Sequence, residues 1–63
     1  MNKHQQLVKR LARLARRRKW TMEVIADRIG CSVPAWVKWR AGKHTPLEIY
    51  RNRMREIMRE EGQ

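Results

Sequence analysis

Cysteine is nearly absent from the chain. Cys31 stands alone, so no intramolecular disulfide can form, and that usage fits a reducing compartment. No apolar run approaches the ~18–20 residues a membrane span needs, and the first residues lack the apolar core of a signal peptide. Both absences point to a soluble protein of the cytoplasm. Strand-like alternation is missing throughout, which excludes a cold-shock fold or similar β-platform. Catalytic constellations are missing too. His4 and His44 lie far apart, both expected to be solvated, and no Cys or carboxylate cluster has metal-ligand spacing. Glu23 and Asp27, one helical turn apart, read as an ordinary exposed pair. There is no phosphate-cradling glycine loop and no nucleophile beside a base. Enzymatic activity, a cofactor, a metal and a small-molecule ligand are therefore not expected.

Acidic residues are scarce as well. Six Asp and Glu stand against sixteen Lys and Arg, a formal net charge of +10 on 63 residues. On so small a surface that charge has to face something negative, with nucleic acid the commonest partner and an anionic membrane surface the rival. A chain of this length makes one domain and buries only about 60% of the surface it exposes when unfolded. A second copy, or anything else that binds only the folded state, would add to its stability.

What is present reads as helix. From about His4 to Arg18 there is no Gly or Pro, and Leu7, Leu11 and Leu14 recur at helical spacing, widened by Val8, Ala12 and Ala15. Lys9, Arg10, Arg13, Arg16 and Arg17 occupy the rest of that helix. Arg17, Arg18 and Lys19 suit the negative end of its dipole. Trp20 reads as a core anchor, Thr21 as an N-cap, and Glu23 as a first-turn acid. Gly30 can take φ > 0 without steric cost, so a second helix ending at Ile29 can turn sharply into a third starting at Ser32 or Val33. Val24, Ile25 and Ile29 are expected to supply its apolar contacts, with Ala26 where the two helices cross and Cys31 as small filler. Steps of 100° put Ser32, Trp36 and Trp39 on one arc of the third helix and Pro34, Val37, Lys38 and Ala41 on the other, so the tryptophans face the core. Thr45-Pro46-Leu47-Glu48 reads as a capping box opening a last helix over about 46–60. Its stripe is Leu47, Tyr50, Met54 and Ile57, with Met58 beside them.

Ala26, Gly30, Trp36, Trp39 and the W-x-x-G-x-x-x-P run through Gly42 to Pro46 together resemble the Cro and phage-repressor type of helix-turn-helix domain, with a motif at about 21–41. The resemblance implies an all-α, lambda-repressor-like four-helix bundle over 1–63, whose second motif helix enters the DNA major groove. Two positions depart from that family. Its frequent ion pair between the first helix and the end of the recognition helix falls on Ala15 and Arg40, and its usual glutamine at the start of the first motif helix is Met22.

On this reading the chain is a sequence-specific regulator of transcription, a Cro-like repressor in a prokaryotic cell or phage-infected host, acting as a homodimer on a palindromic operator. Base edges would be read by Ser32, Val33, Pro34, Val37 and Lys38, with Lys38 the one strong donor, suited to the O6/N7 edge of guanine. Phosphates would be held by Thr21 and Met22 at a helix N-terminus, by Arg40, Lys43 and His44 after the recognition helix, and by Arg17, Arg18 and Lys19. A second subunit would meet Ile49, Tyr50, Met54, Ile57 and Met58. Two rivals stand beside it: an RNA binder using the arginine-rich first helix, and a cationic amphipathic peptide acting on membranes through Leu7, Leu11 and Leu14.

Overall fold

In the computed structural model the chain forms four helices, α1 (Lys3–Arg18), α2 (Met22–Ile29), α3 (Val33–Arg40) and α4 (Glu48–Glu60). The structure describes residues 3–62, with side chains from residue 5 onward, so the His4 side chain lies outside the described set. α1 packs against α3 and α4, and α2 packs against the same two, which makes a bundle 26 × 21 × 19 Å in extent. No strand occurs among the described residues.

The core is the one the periodicity implies. Leu7, Val8, Leu11, Leu14 and Ala15 from α1 meet Ile25 and Ile29 from α2, Trp36 and Trp39 from α3, and Met54, Ile57 and Met58 from α4. Trp36 sits at its centre with 0% exposure. The ring centroids of Trp39 and Tyr50 are 5.2 Å apart, a tilted pair that ties α3 to α4. The apolar stripe of α1 is thereby covered, which removes the surface that a membrane-active peptide would need. Val24 departs from expectation: Ile25, Ala26 and Ile29 share the inward face of α2, and Val24, about 100° round from Ile25, is exposed.

Helix ends are set by local chemistry. α1 closes on Lys19, whose φ of 60° lets Trp20 N–H reach the Ala15 carbonyl at 2.9 Å while Lys19 N–H reaches that of Arg16 at 3.2 Å. That is the paired-bond closure of a Schellman motif. α2 also ends on a left-handed residue, Gly30 at φ 88°, but here Gly30 and Cys31 N–H both donate to one carbonyl, that of Ala26. Thr21 Oγ1 accepts from Val24 N–H at the start of α2, and Ser32 Oγ accepts from Ala35 N–H at the start of α3.

The last helix begins later than the Thr45-Pro46 signal predicts. α4 starts at Glu48, its N-cap is Leu47, and no side chain caps it. Pro46 is buried before the helix, and the Arg51 guanidinium donates to its carbonyl, which a helix starting at Pro46 would have offered to Tyr50 N–H. Tyr50 and Arg51 N–H turn to the Leu47 carbonyl instead, at 3.0 Å each. Leu47 consequently leaves the stripe and stands 67% exposed.

Candidate nucleic-acid interface

α3 turns one face to the core and another to solvent. Its Trp36 and Trp39 face inward, and Pro34, Val37, Lys38 and Ala41 face solvent, with Val33 half-buried at the first turn. Ser32 is exposed but its hydroxyl oxygen already serves as the cap of α3, which leaves its proton for a partner. Beyond α3 the chain folds back so that Lys38, His44 and Thr45 line one groove with Ser32 and Pro34. The expected base-reading arc and one expected phosphate contact therefore share a surface. Lys43 is exposed next to it, its N–H held by the Lys38 carbonyl at 3.0 Å.

Thr21 and Met22 are exposed at the N-terminus of α2, with Lys19 exposed just before them. Arg40 lies apart from the groove, on a cleft of about 400 Å³ between α1, α2 and α3. Ala15 contributes a buried methyl group and Arg40 an exposed guanidinium to that cleft.

Arg18 belongs to a different network. Its Nε lies 3.1 Å from Glu61 Oε1 and its Nη2 donates to the Glu61 carbonyl at 3.2 Å. Arg28 joins it, with Nη1 3.3 Å from Glu61 Oε2, while its guanidinium carbon stands 4.5 Å from the Trp20 ring centroid. Arg53 Nε donates to the Arg28 carbonyl at 2.9 Å, and its Nη1 pairs with Glu56 at 3.1 Å. This network clamps the ends of α1, α2 and α4, so Arg18 is spent on the fold and is a poor phosphate ligand. Residue spacing gave no sign of it, because the partners that join different helices lie 25 to 43 positions apart.

Of the five side chains expected to meet a second subunit, Met54, Ile57 and Met58 are inside the chain's own core. An interface cannot use them without opening the domain. Tyr50 is half-buried against Trp39, and Ile49 is 71% exposed. Cys31 packs on the core beside the turn, where burial pushes its thiol up despite an opposing backbone hydrogen bond. No group of three or more His, Cys, Asp or Glu comes together among the described residues. Compared with family models, curated proteins and solved structures, the chain matches none.

Proposed function

We propose that this chain is a sequence-specific double-stranded DNA-binding regulator of transcription, a Cro-like helix-turn-helix repressor acting as a homodimer on a palindromic operator. The observation that carries the reading is the α2–Gly30–α3 unit: two eight-residue helices closed on each other by a left-handed glycine, with two indoles behind the second and Lys38 in front. An α-helix is about 10–12 Å across with its side chains, which fits a major groove about 12 Å wide. Lys38 has no ion-pair partner among the described residues, and Val37, 44% exposed, suits a thymine methyl group. Lys19, Lys43 and the N-terminus of α2 flank that rod and supply phosphate contacts that fix register. A single domain reads few base pairs, so two copies on a two-fold site, in contact through Ile49 and Leu47, give useful discrimination.

Selection from random duplexes, followed by competition between the best site and shuffled DNA, tests the assignment. Lys38→Ala is expected to lose about 1–3 kcal/mol of discrimination at one G·C pair. Full retention of discrimination by that variant removes Lys38 from base reading.

RNA binding through α1 is the second reading, favoured by the exposed Lys9, Arg10 and Arg13. Removing residues 1–10 cannot test it, because Leu7 and Val8 belong to the core. Charge-neutral replacements of Lys9, Arg10 and Arg13 keep the fold and separate the two: structured-RNA affinity collapses under the second reading, and duplex affinity survives under the first.

A further inference from the structure

The cleft between α1, the start of α2 and the end of α3 is large enough for a small molecule, at about 400 Å³. Lys9, Arg13 and Arg16 from α1 and Arg40 from α3 stand around it, and no carboxylate lines it. None of these four has an ion-pair partner among the described residues, whereas Glu56, Glu60 and Glu61 are all taken by Arg18, Arg28 and Arg53. The spacing of four and three along α1 puts its three cations on one face. Beneath them the accessible apolar surface is that of half-buried Ala12 and Trp20, backed by the core residues Ala15, Ile25 and Trp36. Trp36 brings a second peculiarity, since its Nε1–H is buried and has no acceptor among the described residues.

We infer that this cleft is a binding site for a small amphipathic anion: a flat aromatic or aliphatic body bearing one carboxylate, sulfonate or phosphate group. The body lies on the apolar floor and is driven there by area removed from water. The anionic head sits among the cations, where guanidinium groups give charge-assisted, two-pronged hydrogen bonds. Four like charges with no internal counter-acid repel one another, and an anion relieves that repulsion. A bare inorganic anion would leave the floor uncovered, and a neutral body would leave the rim uncompensated, so both halves of the ligand are required. Met22 and Arg40 lie on this rim as well as among the proposed phosphate contacts. Where the DNA-binding reading holds, on which this step alone rests, the occupant competes with the duplex backbone and releases the protein from its site.

Titrating isotope-labelled full-length chain with naphthoate tests the site by nuclear magnetic resonance. The Trp36 indole N–H resonance and the Ala12 and Ala15 amides should shift and saturate together. Neutral naphthylmethanol should bind at least about tenfold more weakly, and so should naphthoate to Arg13→Glu, an exposed position whose replacement spares the fold. The proposal is overturned if those resonances fail to saturate, if inorganic phosphate shifts them with equal affinity, or if Arg13→Glu binds naphthoate as tightly as the parent chain. Naphthoate that saturates the cleft without weakening duplex binding removes the competition step and leaves the site. Failure to bind any duplex, with naphthoate binding intact, removes the DNA reading instead.

Discussion

Lys19 is the residue whose conformation and identity disagree. It holds φ 60° to close α1, a region where an L side chain costs about 1–2 kcal/mol and glycine costs nothing sterically. Gly30 closes α2 in the same region with the expected residue, and a Cβ added there would meet nothing within 4 Å. Replacements at the two sites should therefore move stability in opposite directions for one reason. Lys19→Gly is expected to stabilise by about 0.5–1 kcal/mol after glycine's extra freedom in the unfolded chain is subtracted. Gly30→Ala should destabilise by about 1 kcal/mol from backbone conformation alone, since no clash accompanies it. Urea melts of both variants read this directly, and a destabilised Lys19→Gly would mean that the lysine side chain holds the helix end through a contact of its own. A lysine kept where glycine would be more stable fits a charge retained for a partner. If so, the stabilised Lys19→Gly variant loses duplex affinity, and stability and function part company at one position.

At the scale of the element, what was legible in the sequence followed from periodicity, and what was not followed from distance along the chain. Leu7, Leu11 and Leu14 in α1, and the inward tryptophans of α3, needed only helical spacing to place them, and Thr21 and Gly30 carried their own end signals. α4 was read well along its length and badly at its start. A capping box is a statement about two side chains and two N–H groups, but burial of Pro46 and the Arg51 bond to its carbonyl decide where the helix starts. Neither shows in a four-residue pattern. The same helix shows why an apolar stripe does not announce its partner: Met54, Ile57 and Met58 serve the chain's own core, leaving Leu47 and Ile49 outside. The candidate site was legible in the arc of α3 and illegible in the cleft, because the cleft joins Arg40 to a face of α1 that sequence order keeps apart. Two substitutions separate the roles of the stripe. Met54→Ala should cost about 2–5 kcal/mol of unfolding free energy, independent of protein concentration. Ile49→Lys should leave the unfolding of the single domain within about 0.5 kcal/mol and shift any dimer toward monomer. Sedimentation at several concentrations with denaturant melts distinguishes them, and a dimer lost with Met54→Ala while the fold persists would put the interface back on the stripe.

Over the whole molecule, the charge is divided by use. Among the described residues, the carboxylates paired within 4 Å are those of Glu56, Glu60 and Glu61, gathered at the end of α4, where they neutralise Arg18, Arg28 and Arg53 and fasten three helices. Lys19, Lys38, Arg40 and Lys43 have no such partner among the described residues and are exposed. A cation already held by a carboxylate releases little when a phosphate approaches. A free one displaces a condensed counterion from the duplex, and each such contact adds about 0.9 to the slope of log affinity against log salt. Cations equal in formal charge should thus contribute unequally to binding. Lys43→Ala is expected to reduce the salt slope by about 1 per subunit and leave the melting temperature unchanged. Arg18→Ala should do the reverse, since Arg18 bonds both the side chain and the carbonyl of Glu61: stability falls by roughly 1 kcal/mol or less, as for a partly exposed ion pair, and the slope holds. Titrations of one duplex over a range of salt concentrations, paired with thermal melts, measure both quantities on the same preparations. Equal slope losses from the two variants would mean that the Glu61 clamp opens on binding. In that case all sixteen basic side chains act as one undifferentiated polycation, and the oriented docking of α3 has no support from the charge pattern.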